Sequence, residues 1–99
     1  MKVTISSVHF KADAKLEDFI QEKTAKLENL FDGVIGCEVI LRLDGASNNE
    51  NKIAEIKLLI PGNDLFAKKQ AKSFEEAVDN AVEALRKQLK KYKEKLKGM

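Results

Sequence analysis

The chain contains almost nothing from which a reactive centre could be built. Its 99 residues include one cysteine, Cys37, and one histidine, His9. A lone cysteine excludes an intrachain disulfide and fits a reducing compartment. One cysteine and one histidine, at no ligand spacing, do not make a metal site. Cys37 alternates in phase with Val39, Leu41 and Leu43, with no local cation to activate it, and reads as a buried structural thiol. A catalytic Cys-His pair has no local support, and His9 reads as a surface or rim residue. The glycines at 33, 36, 45 and 62 fit no phosphate-cradling loop. Arginine is limited to Arg42 and Arg86. An acylphosphatase-like enzyme, which needs an arginine near its first loop, is therefore excluded. No long apolar run is present, so neither a membrane span nor a signal peptide is predicted, and a cytoplasmic protein is expected. The acid pairs Glu17-Asp18 and Glu75-Glu76 fall in first helical turns, where they complement the helix dipole; a general acid-base role is not needed to explain them. No enzyme, cofactor or metal is expected.

What the chain does have is segregated charge. The net charge is +2, but residues 1–66 stand at −3 and residues 67–99 at +5. The length suits a single domain over 1–99 with one modest core.

Periodicity supplies the elements. Lys2 to Ser7 alternates as a short strand. Asp13 is placed to cap a helix whose apolar face carries Leu16, Phe19, Ile20, Leu27, Leu30 and Phe31. Lys23 takes the middle of that face, its stem over apolar surface and its head in water. Gly33 and Gly36 are expected to end the helix. Cys37 to Asp44 alternates again, with Leu43 on the inner side. Gly45 to Asn51 is a polar loop, Ile53 to Ile60 a third strand, Pro61-Gly62 a turn and Leu65 to Ala71 a fourth strand. Ser73 and Glu76 form a capping box before a helix that buries Phe74, Ala77, Val78, Ala81, Leu85, Leu89, Tyr92 and Leu96. The order β-α-β-β-β-α, with one apolar face per element, predicts a two-layer α+β domain. Three of its strands form an antiparallel meander, and both helices cover one face of a four-stranded sheet. The last helix should overhang the sheet.

The overhang is cationic. Arg86, Lys90, Lys93 and Lys97 line one flank of the Leu85-Leu89-Tyr92-Leu96 stripe, and Lys87, Lys91 and Lys95 line the other. Lys68, Lys69 and Lys72 precede the helix. One-signed charge on a rigid rod suits a polyanion. Tyr92 is the only aromatic nearby and falls in the buried stripe, so base stacking is not expected. Scarce arginine disfavours bidentate base reading. Lysine contact to phosphates remains, a mode suited to structured RNA. Two other readings stay open: a general structured-RNA binder, and a protein-interaction domain solubilised by its lysines.

Longer stretches then match a known pattern. Phe19-Ile20-Gln21-Glu22-Lys23-Thr24-Ala25-Lys26-Leu27-Glu28 resembles the first helix of the ribosome hibernation promoting factor family. Ala77-Val78-Asp79, Leu85, Gln88-Leu89, Lys91-Tyr92-Lys93 and Lys95-Leu96 resemble its second. Val39-Ile40-Leu41, Ala54-Glu55-Ile56 and Pro61-Gly62 match its strands. The resemblance implies a fold like a double-stranded-RNA-binding domain with an added first strand. It implies binding to the small ribosomal subunit and the 70S ribosome, at 16S rRNA in the channel for mRNA and tRNA, with translation blocked in non-growing cells. By position it implies contacts from Lys23 and Lys26 and from Lys87, Lys90, Lys91 and Lys93, with Lys68, Lys69 and Lys72 beside them. Two departures stand out. Ser73-Phe74-Glu75 replaces an Asp-Met-Tyr found in many members, and Arg86 adds charge. The chain looks like the short form, expected to be a monomer that leaves any pairing of ribosomes to a separate dimerising factor.

Overall fold

The computed structural model describes residues 1–45 and 49–97, with Lys97 described by its backbone alone. Six elements follow in the expected order: β1 (Lys2–Ser7), α1 (Ala14–Leu30), β2 (Gly36–Leu43), β3 (Lys52–Leu59), β4 (Leu65–Ala71) and α2 (Phe74–Lys97). Of the polar loop predicted between β2 and β3, residues 46–48 lie outside the described residues.

The sheet order is β1-β2-β3-β4. β2, β3 and β4 form the predicted antiparallel meander, with Val39 opposite Ile56 and Ile56 opposite Ala67. β1 pairs parallel to β2, Val3 opposite Cys37 and Ile5 opposite Val39. Parallel neighbours cannot be joined by a hairpin, and α1 is the crossover that joins them. Strand alternation sends Cys37, Val39, Leu41, Ala54, Ile56, Leu58, Leu65, Ala67 and Ala71 to one face, where they share a core with both helices. Among the described residues no helix covers the opposite face. There Arg42 and Glu55 pair across strands at 2.5 Å, and Ile40 and Phe66 stand exposed. Ile53 lies on this bare face yet is 4% exposed, because it sits between Arg42 and Gln70 on the neighbouring strands, whose long stems can cover it.

The α1 stripe departs from its prediction. The buried residues are Leu16, Ile20, Thr24 and Leu27, so Thr24, not Lys23, occupies the middle. A hydroxyl can be buried there because it donates to the Ile20 carbonyl at 2.8 Å, closing its own polar requirement within the helix. The Lys23 ammonium has no such option and turns toward α2. Asp13 caps the helix as expected, its Oδ1 accepting from the Leu16 N–H at 2.8 Å. The helix ends on Phe31 in extended backbone, φ −153, rather than on a left-handed glycine. Gly33 is needed for a different reason: a Cβ there would lie 2.5 Å from the Phe31 ring.

α2 begins where Ser73 Oγ accepts from the Glu76 N–H at 3.1 Å, which neutralises one orphan donor of the first turn. Phe74, Ala77, Val78, Ala81, Leu85 and Leu89 are buried as predicted, and Val82 joins them. Tyr92 is half-buried and Leu96 is 47% exposed, contrary to expectation. Twenty-four helical residues rise about 36 Å, while the seven of β4 span only about 24 Å. The final turns therefore run past the sheet. Leu43, expected on the inner side, is exposed; β1 stops at Ser7, opposite Leu41, so no β1 residue pairs with this end of β2.

Candidate nucleic-acid interface

α2 lies between α1 on one flank and β4 on the other, with Arg86, Lys90 and Lys93 on the α1 side and Lys87, Lys91 and Lys95 on the β4 side. On the α1 side, Arg86, Lys90, Lys93 and Leu30 line a cavity of about 240 Å³. Lys93 Nζ donates to the Leu30 carbonyl at 2.7 Å. No basic residue stands in the last turn of α1 itself, so Lys93 supplies the cation that a helix C-terminus favours. Beside it the Phe31 and Tyr92 rings meet edge to face, 5.7 Å between centroids. Lys23 pairs with Asp79 of α2 at 3.2 Å and lies over the Phe19 ring at 5.5 Å. Lys26 is three residues further along the same flank of α1 and exposed. Arg86 is held by its own helix, Nη2 donating to Glu83 Oε1 at 2.8 Å and Nε to Oε2 at 3.1 Å. This pair pulls the Glu83 carboxyl below the usual carboxylate range and raises the guanidinium further.

On the β4 side, Lys69 and Lys87 face each other across a cavity of about 410 Å³ that Asn80, Glu83 and Ala84 complete. Lys91 and Lys95 continue the row beneath the overhang, where they border a cleft of about 560 Å³ with Gly62, Asn63, Leu65, Gln88, Tyr92 and Leu96. Gln88 Nε2 donates to the Phe66 carbonyl at 2.9 Å, and the Tyr92 hydroxyl donates to the Pro61 carbonyl at 3.3 Å. These contacts tie the basic end of α2 to the β3–β4 turn.

The predicted cations therefore divide. Lys26, Lys69, Lys87, Lys90, Lys91 and Lys95 are exposed and flank one helix. Lys23 and Lys93 fasten the helices together. Lys68 sits opposite Glu55 on the bare face of the sheet, because neighbours in a strand point to opposite faces. Lys72 precedes the N-terminus of α2, about 22 Å along the axis from Lys87, so neither joins the row. The side chain of Lys97 lies outside the described residues. Gln88, Asn63 and Leu96 belong to the cleft but were not among the predicted site residues. Gln88 was legible as a neighbour of Lys91 at helical spacing; Asn63 comes from a turn distant in sequence.

Cys37 is 1% exposed, and burial first, then the Glu38 charge, pushes its thiol up to about 12. At neutral pH it is a thiol, not a thiolate. Alkylation of the folded protein should leave Cys37 unmodified, while in denaturant it should react fully; mass spectrometry reads both, and rapid labelling of the folded chain would contradict the burial. His9 is exposed, with φ 65. Among the described residues no three His, Cys, Asp or Glu side chains cluster as metal ligands, and no helix is long and apolar enough to cross a membrane.

Fold and charge together define a two-layer α+β domain organised around one basic helix. The chain belongs to the sigma 54 modulation protein / S30EA ribosomal protein family, whose pattern matches residues 3–97. It is 31% identical over 99 residues to a ribosome hibernation promoting factor of Pseudomonas putida, covering all of this chain and 93% of that protein. Against the factor of the same name from Escherichia coli K12 it is 27% identical over 97 residues, covering 98% of each. Its fold superposes on the N-terminal domain of Thermus thermophilus Protein Y with a TM-score of 0.82 at 25% identity, covering 93% of this chain and 99% of that one. A ribosomal subunit interface protein of Coxiella burnetii has the same TM-score at 20% identity, with 94% and 98% covered.

Proposed function

We propose that this protein is a ribosome hibernation factor. It binds 16S rRNA in the mRNA and tRNA channel of the small subunit and inhibits translation in non-growing cells by occupying that channel. The observation that carries the reading is the split of exposed lysines onto the two flanks of one helix, in a chain of this family. A helix about 10–12 Å across with cations on both sides can lie between two phosphate backbones and touch each. Lysines with few arginines contact phosphates rather than base edges, so structure and not sequence is recognised. Lys23 and Lys93 serve this surface indirectly, by holding α1 against α2. Residues 1–99 act as one ribosome-binding domain in the cytoplasm. The protein works as a monomer, since two copies of its basic helix repel, and pairing of ribosomes falls to a separate factor.

Phosphate contact has a salt signature. With Lys26, Lys69, Lys87, Lys90, Lys91 and Lys95 on phosphates, log K should fall against log salt with a slope of roughly −4 to −5, at about 0.7–0.9 per contact. Co-sedimentation with isolated 30S subunits across a salt series measures it. A flat profile would remove the phosphate clamp, and absence of any 30S binding would remove the reading.

A further inference from the structure

The cleft under the α2 overhang differs from the rest of the basic surface because it has an apolar floor. Leu65 and the half-buried Tyr92 form it with Leu96, and Leu96 is 47% exposed although it continues the core stripe of its helix. Lys91 and Lys95, one helical turn apart, stand on the rim with the amides of Gln88 and Asn63. A pure phosphate clamp has no use for an exposed leucine beside a ring.

We infer that this cleft receives one unpaired nucleotide, its base laid over Leu96 and Tyr92 and its flanking phosphates on Lys91 and Lys95. The inference rests on the rRNA-binding reading and adds a second mode to it: recognition of a base that has left its helix, next to the backbone contacts of Lys87 and Lys69. An unstacked base offers an apolar face with anionic groups on either side, which is the complement of an apolar floor with a cationic rim. A peptide strand fits less well. The Phe66 carbonyl, on the outer edge of β4 where such a strand would pair, is already occupied by Gln88. The Tyr92 hydroxyl is likewise engaged with Pro61, which holds the ring in place rather than leaving it to swing.

Two measurements on the full chain test this. Leu96→Ala removes floor without touching charge, so affinity for 30S subunits should drop about fivefold with an unchanged salt slope. Lys91→Ala should lower both affinity and slope. The second measurement places a photoactivatable phenylalanine analogue at position 96 and, in a separate preparation, at position 87. Crosslinks from 96 to an unpaired rRNA nucleotide are expected. A crosslink from 96 to a ribosomal protein, or none, with 87 still reaching rRNA, would overturn the nucleotide pocket alone. Loss of rRNA crosslinks from both positions would overturn the rRNA reading beneath it. Unchanged affinity in Leu96→Ala would also refute the pocket, because the side chain is exposed and its loss cannot be hidden by misfolding.

Discussion

Replacing Lys87, Lys90 and Lys91 together with glutamate is expected to lower affinity for 30S subunits by at least about a hundredfold, three phosphate contacts being turned into repulsions. The three side chains are exposed, and they cover both flanks of α2, Lys90 toward α1 and Lys87 and Lys91 toward β4. No core residue changes, so circular dichroism and the thermal transition should stay close to those of the parent. The control is a triple reversal of the same total charge at Lys2, Lys15 and Lys72, which are exposed but lie away from the basic end of the helix. That variant should keep most of its binding. Equal losses in the two triples would mean that net charge acts and that the two-flank arrangement is irrelevant.

The second large effect concerns stability. Leu85 is fully buried, in one core with Ile56, Leu58 and Ile20. Leu85→Ala should cost about 2–5 kcal/mol, the lost transfer energy plus the cavity left behind. Against a total of about 5–15 kcal/mol for a domain of this size, part of the population would unfold at moderate temperature. Leu96→Ala, eleven positions later on the same stripe, should change stability by less than about 0.5 kcal/mol. Urea unfolding of the two variants measures the difference directly. Comparable destabilisation would show that the last turn of α2 packs against the sheet after all.

That contrast marks where sequence reasoning reaches its limit. Leu85, Leu89, Tyr92 and Leu96 share one helical stripe, and periodicity alone treats them alike. Which of them is buried depends on how far the neighbouring layer extends, and a helix pattern holds no information about the length of a sheet beside it. The same limit explains α1. Lys23 and Thr24 are adjacent, and both lie near the apolar arc. Only a partner across the interface, Asp79 at 3.2 Å, and a carbonyl one turn back, Ile20 at 2.8 Å, decide that the threonine goes in and the lysine goes sideways.

The sequence by itself determined the six elements, their order and the α+β class. Those follow from local rules: alternation for strands, the 3.6 period for helices, and capping by Asp13 and Ser73. It also determined that the charge on α2 falls in two rows, and it placed Cys37 on the buried side of β2. The tertiary structure decided that β1 runs parallel to β2. It decided that Lys23 and Lys93 are clasps between helices, and that Gly62, Asn63 and Gln88 line one cleft with an exposed Leu96. Each of these turns on which distant segment a side chain meets. The Lys93 ammonium and the Leu30 carbonyl are 63 residues apart in the chain, and no local pattern could bring them together.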